Sequence, residues 1–238
     1  MLDYENLYNS EFIAFKDCYK TCDSYCCGNF LGKSFKILNK NCVILPLLKE
    51  EYLYYKLKGG IKNICQEKHQ TYTLKNGKKL EVYFLYCECG GLCAPHSMRP
   101  LICRLYPYLP RVSYQGELLG FYPASLMDLF FSNENAHYCT LVREHDTELR
   151  AQLAQNLKPL LRIPLYIFVF RALEVLCQTL QEYLGNVRLD TLEQEARGEF
   201  LQKLEWCLLS NKAWDNEAFK EKITQIYTEI AQEFGDFL

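Results

Sequence analysis

The chain has 238 residues, 49% of them hydrophobic and 14% aromatic, enough to bury one large core or a small module joined to a second domain. A formal net charge of −2 and a pI near 6.1 give no global attraction to nucleic acid or to an anionic membrane. Thirteen cysteines are the compositional outlier, and in a reducing compartment clustered cysteines serve as metal ligands or redox groups more often than as disulfides.

The first residues, MLDYENLYNSEFIAFK, are acidic and aromatic, with no basic segment leading into an apolar run, so no signal peptide is expected. The brief extended segment Cys42 to Leu45 leads into a short helix over Leu47 to Lys58, with Glu50-Glu51 expected as its solvated start. Thr71 to Leu74 and Leu80 to Tyr86 flank Lys75-Asn76-Gly77-Lys78. Asn-Gly between alternating aromatic runs is a strong hairpin signal. A second hairpin is expected from Tyr108 to Tyr122, turning at Gln115-Gly116.

From about residue 126 glycine falls away, and Leu, Glu, Gln, Ala and Arg recur at helical spacing. Helices are expected over 134–157, 160–184, 191–211 and 216–234, broken at Pro159, Gly185-Asn186 and Asp215-Asn216. Asp190 with Glu193 has the form of an N-terminal cap. The apolar stretch Ile163 to Phe170 lies between Arg162 and Arg171 and is too short to cross a bilayer. The expected fold class is α+β. A cysteine-rich mixed module with β-hairpins occupies 1–125, and an all-helical domain occupies 126–238. A soluble, cytoplasmic protein follows, with no membrane or nucleic-acid partner.

The chemistry lies in two cysteine segments. The first is Cys18-x3-Cys22-x3-Cys26-Cys27; on a helix the spacings of four would put Cys18, Cys22 and Cys26 near one face. Cys27 would then lie about 100° around that helix, so an irregular turn is needed to bring all four inward. The second is Cys87-x-Cys89-x3-Cys93, followed by Arg99-Pro100-x2-Cys103-Arg104-x-Tyr106-Pro107. Thiolates suit zinc, copper(I) and iron–sulfur clusters, and four of them close either a structural zinc site or a common cluster. Arg99 and Arg104 would offset the negative charge of such a site. Pro100 would start a short helix orienting Cys103, and Tyr106-Pro107 would end it.

His96, three residues after Cys93, is the best substitute ligand, and His137, two before Cys139, is next. His69 and His145 carry little signal. Cys42, Cys65, Cys177 and Cys207 read as small buried hydrophobes, the last two among helix leucines. The tyrosines of 52–55 read as packing. Nothing forms a nucleophile triad, a phosphate loop or a paired-carboxylate site.

Over residues 12–140 the sequence resembles the CxxCxxCC, or YkgJ-like, cysteine-cluster proteins. The matching residues are Cys18, Cys22, Cys26-Cys27, the segment Val43 to Glu50, Cys93, and Arg99-Pro100-Leu-Ile-Cys103-Arg104-Leu-Tyr106-Pro107. Cys139 fits the further cysteine that usually follows downstream. The spacings in the first segment are three and three rather than two and two. The stretch before Cys93 is compressed to Cys87-Glu-Cys89, leaving those two cysteines interchangeable as the ligand.

The resemblance implies a zinc- or iron-chelating domain with these cysteines as ligands. The expectation is a cytoplasmic, non-catalytic metal-binding protein whose helical half presents a surface to a protein partner. An iron–sulfur protein with redox or maturation duties is the first alternative. The second is an enzyme like the flagellin lysine N-methylases, which are similar over the cysteine module and use S-adenosylmethionine. No glycine-rich strand-to-helix turn that would cradle that cofactor is present.

Overall fold

The structure, a computed structural model, describes residues 3–15, 20–28, 35–38, 42–91, 93–130 and 137–238. It is an α+β fold with small antiparallel sheets in the first half and helices in the second. Helix α1 (Tyr4–Asn9) is capped by Asp3, whose carboxylate accepts the Asn6 amide at 3.1 Å. Strand β1 (Val43–Leu48) runs directly into α2 (Lys49–Leu57). Strands β2 (Ile64–Thr73) and β3 (Lys79–Cys87) form the hairpin expected around Asn76-Gly77. Here Gly77 adopts the left-handed φ of +84° that the turn needs.

Sequence reading missed the place of β1. It pairs antiparallel with β3 in register Val43↔Cys87 to Leu48↔Val82, so the sheet order is β1-β3-β2 and Cys87 ends the central strand. The tyrosines pack as expected. Tyr55 is buried, Tyr52 stacks on Tyr83 at 3.9 Å, and Tyr54 meets the Tyr8 ring at 5.1 Å. Beyond the sheet come α3 (Leu101–Leu105) and the second expected hairpin, β4 (Tyr108–Val112) and β5 (Leu118–Pro123).

The helices are α4 (Thr140–Asn156), α5 (Pro164–Leu184), α6 (Gln194–Ser210) and α7 (Glu217–Phe234). Leu160–Arg162 is a separate 3-10 turn rather than the start of α5, because Pro164 occupies the first helical turn of α5. Gly185 closes α5 at φ +88° and Asn216 caps α7, its side chain accepting the Phe219 amide at 2.9 Å. The cap expected from Asp190 and Glu193 is not made. Asp190 lies in a 3-10 turn of its own, and Glu193 makes no side-chain cap bond to α6. The expected residues 134–136 lie outside the described residues.

One apolar core runs through both halves, from Phe12 and Leu85 to Leu149, Ile167, Leu180 and Ile230. The second hairpin docks on α5 through Tyr122, whose hydroxyl donates to the Phe170 carbonyl at 2.8 Å, and through the Arg111–Glu174 ion pair at 2.7 Å. A second tether comes from α6, where Glu205 accepts the backbone amides of Lys36, Ile37 and Leu38 at 3.1, 2.6 and 2.7 Å. Among the described residues no helix is long and apolar enough to cross a membrane.

Candidate metal centre

Residues 21–28 form turns, not the helix that spacings of four suggest. Asp23 and Ser24 both take left-handed φ, +49° and +56°, and the Cys27 amide returns to the Ser24 carbonyl at 2.7 Å. Two consecutive left-handed residues cannot continue a right-handed helix, so the chain reverses and the adjacent pair turns together. The sulfurs of Cys26 and Cys27 lie 3.7 Å apart. Cys22 is half-buried at the start of this turn, and Cys18 lies outside the described residues.

Cys87 is buried at the end of β3, held from both sides by its strand partners Val43 and Ile64. Two residues on, the Cys89 thiol donates to the Lys62 carbonyl at 3.3 Å. Left-handed Gly90 and Gly91 then turn the chain toward Cys93. Pro100 is the N-cap of α3, as the sequence suggests, and Cys103 sits on that single turn of helix. Cys139 is buried at the N-cap of α4, its amide donating to His137 Nδ1 at 3.0 Å.

The electrostatic pattern of the thiols shows which of them share a neighbourhood. The Cys26 thiol is pushed up by its bond to Cys27, by burial and by the charges Cys103 and Cys139 would carry. Burial raises Cys103, as would charge on Cys27, Cys93 and Cys87. Burial raises Cys89 as well, reinforced by Cys87 and Cys93. Cys27 is shifted down. Its bond from Cys26 is the main cause, helped by the Arg99 guanidinium and a bond from the Gly91 backbone against opposing burial. Cys26, Cys27, Cys87, Cys89, Cys93, Cys103 and Cys139 thus each lie within electrostatic reach of at least one other thiol of this group.

These thiols are gathered but not closed into a shell. Among the described residues, no group of three or more His, Cys, Asp or Glu side chains stands ready to hold a metal ion. The donor chemistry nevertheless fits a soft or borderline cation, since burial disfavours free thiolates that a metal would stabilise. A buried Arg99 Nε with no hydrogen-bond partner adds an uncompensated donor at the same place.

Several expectations need correction. Of the two arginines, Arg99 bears on Cys27, Cys93 and Cys103, and Arg104 interacts with Cys103 as well. Arg104 is engaged by the carbonyls of Arg99, Ser10 and Ser97 and lies over the Tyr8 ring. Glu51 is not solvated. It is 3% exposed, and its Oε1 accepts Tyr8 OH at 2.9 Å and the Leu101 amide at 2.8 Å, so it joins α1, α2 and α3. Burial raises its carboxyl to about 7. His96 is exposed, and the charges that act on it are Arg99, Arg104 and Glu11, not thiols. Cys65 is exposed on β2 rather than buried, while Cys42, Cys177 and Cys207 are buried as expected.

Sequence reading also missed Asp128, a lone acid in an apolar run. It is buried and accepts Tyr25 OH at 2.7 Å, Tyr106 OH at 3.0 Å and His137 Nε2 at 3.2 Å. Asp128 also forms part of a cleft of about 270 Å³ with Arg111, Tyr122, Glu174, Gln181 and Arg188. Compared with family models, with characterised proteins and with solved structures, the chain matches none.

Proposed function

We propose that the chain is a cytoplasmic metal-binding protein that holds zinc or iron through thiolates, without catalysing a reaction itself. The observation that carries this is the convergence of cysteines from three separate segments, 26–27, 87–103 and 139, on one another. The resemblance to the YkgJ-like cysteine-cluster proteins supports the same ligand set. The ligands would be drawn from Cys22, Cys26, Cys27, Cys87, Cys89, Cys93, Cys103 and Cys139, with Cys18 as a further candidate. Closing a shell takes movement of these side chains, and Gly90 and Gly91 leave the backbone beside Cys89 unrestricted by a Cβ.

The number of coupled thiols exceeds the four that one structural zinc needs, which favours two ions or an iron–sulfur cluster. Trp206 and Leu209, one turn apart on α6 and both exposed, support a protein partner on the helical half. Elemental analysis of anaerobically purified protein tests the proposal. Metal is expected in the native chain and in Cys177→Ala, and much less in Cys26→Ser and Cys103→Ser. Full retention in both serine variants defeats the assignment. A brown preparation identifies a cluster, and a colourless zinc-loaded one excludes it.

A further inference from the structure

Three cysteine-bearing segments meet on one carboxylate that is not itself among the candidate ligands. Tyr25 precedes Cys26, Tyr106 follows Cys103 by three residues, and His137 precedes Cys139 by two. Tyr25 and Tyr106 donate to Asp128, whose side chain is fully shielded from solvent, and His137 Nε2 lies 3.2 Å from it. His137 accepts the Cys139 amide at Nδ1, so in this network its proton sits on Nε2 and is directed at Asp128. The imidazole therefore spans the distance from the carboxylate to the backbone of a candidate ligand.

A buried carboxylate is costly unless its oxygens are satisfied, and here each oxygen has a donor. The donors come from segments that otherwise lack regular structure or a shared strand. Tyr25 lies in the turn 21–28, Tyr106 just beyond α3, and His137 just before α4. From this we infer that Asp128 is the positioning residue of the metal centre, holding Cys26-Cys27, Cys103 and Cys139 toward a common point. The inference rests on the thiolate-centre reading. Groups bonded to the neighbours of metal ligands fix ligand orientation, and their loss weakens metal binding by about 10–100-fold.

The test uses full-length protein loaded anaerobically with zinc, with affinity read by chelator competition, and with cobalt(II), whose visible bands report coordination geometry. Asp128→Asn preserves shape and removes the charge. It is expected to weaken zinc binding about 10–100-fold and to shift the cobalt bands. Tyr122→Phe breaks a buried hydrogen bond beside the same cleft but touches no segment that carries a candidate ligand, and it should match the native protein in both readouts. If Asp128→Asn fails to fold by circular dichroism, Tyr25→Phe and Tyr106→Phe each remove one donor, and each should weaken zinc binding and shift the same bands. Native affinity and native cobalt bands in a folded Asp128→Asn, or in both tyrosine variants, overturn the inference, as does equal weakening in Tyr122→Phe. A native protein that binds neither zinc, cobalt nor iron overturns the thiolate-centre reading instead.

Discussion

The cysteine-bearing half and the helical half of this molecule are held together by different means. In the helical half, Leu149, Leu153, Ile167, Phe168, Leu180 and Leu204 are almost completely shielded, and α5 meets α7 through Phe168 and Tyr227 at 6.4 Å. Apolar burial dominates there. In the cysteine-bearing half, left-handed residues shape the turns at 21–28 and Gly90-Gly91, Asp128 holds Tyr25 of the first turn, and Glu51 and Arg104 anchor Leu101, Ser97 and Ser10. That half shares the apolar core, but its irregular turns lack the hydrogen bonds of a helix or strand, so their order depends on those anchors and, under the proposed function, on the metal.

Removing the metal is the strongest way to break this contrast. Structural zinc supplies an apparent free energy of about 10–16 kcal/mol, which in small modules is folding free energy. Chelation is therefore expected to abolish hydrogen-exchange protection around Cys89 to Tyr106 while α5 and α7 stay protected. Uniform loss across both halves would show that they fold as one unit, and unchanged protection would show that the turns need no metal.

The converse perturbation sits in the helical core. Leu180 is 0% exposed, so Leu180→Ala should cost about 2–5 kcal/mol through lost burial and a residual cavity. Thermal denaturation should register this as a lower midpoint, with metal content per folded chain unchanged. A fall in metal content would mean that the core and the cysteine cluster are coupled more tightly than the contrast allows.

How much of this was legible in the sequence follows the same division. The helices could be read from periodicity and the hairpins from Asn-Gly and Gln-Gly, because each signal lies within one segment. The cysteine spacing pointed to the segments that the proposed function uses, but it suggested a helix where Asp23 and Ser24 reverse the chain. The anchors were invisible because their partners are distant. Glu51 bonds to residues 43 and 50 positions away, and Asp128 reaches back 103 positions to Tyr25. Beside Glu50, at the start of a helix, Glu51 has the local look of a solvated acid. Only the tertiary fold buries it.

That burial has a pH signature. In the folded chain the Glu51 carboxyl is raised from 4.5 to about 7 by burial, so the folded state keeps a proton that the unfolded state releases. Its contribution to stability is fully present below about pH 4.5 and is lost as pH rises toward 7, by up to about 3 kcal/mol. Glu51→Gln retains an oxygen to accept Tyr8 and Leu101 but cannot ionise. The native-minus-variant difference in denaturant stability should therefore fall between pH 4.5 and 7 and level off above. A flat difference would place the charged carboxylate comfortably in its site, with Arg104 compensating it.

The smallest expected effect separates the two hairpins. Gly77 and Gly116 turn them at nearly the same left-handed φ, +84° and +81°. At Gly77 an added Cβ meets nothing within 4 Å, whereas at Gly116 it would lie 2.0 Å from the Leu161 carbonyl oxygen. Both turns therefore touch the helical half, but differently: the first is tied to α7 and Asp236 through Lys75 and Lys78 with open space at its glycine, whereas the second is pressed against that half at the glycine itself. Gly77→Ala should cost only the left-handed backbone penalty, about 1–2 kcal/mol, with no change in metal content. A larger loss, measured by denaturant unfolding, would mean that the substitution also disturbs the contacts of Lys75 and Lys78 with α7 and Asp236. A loss within that range would leave Gly116 as the turn where backbone strain and packing against α5 act on the same residue.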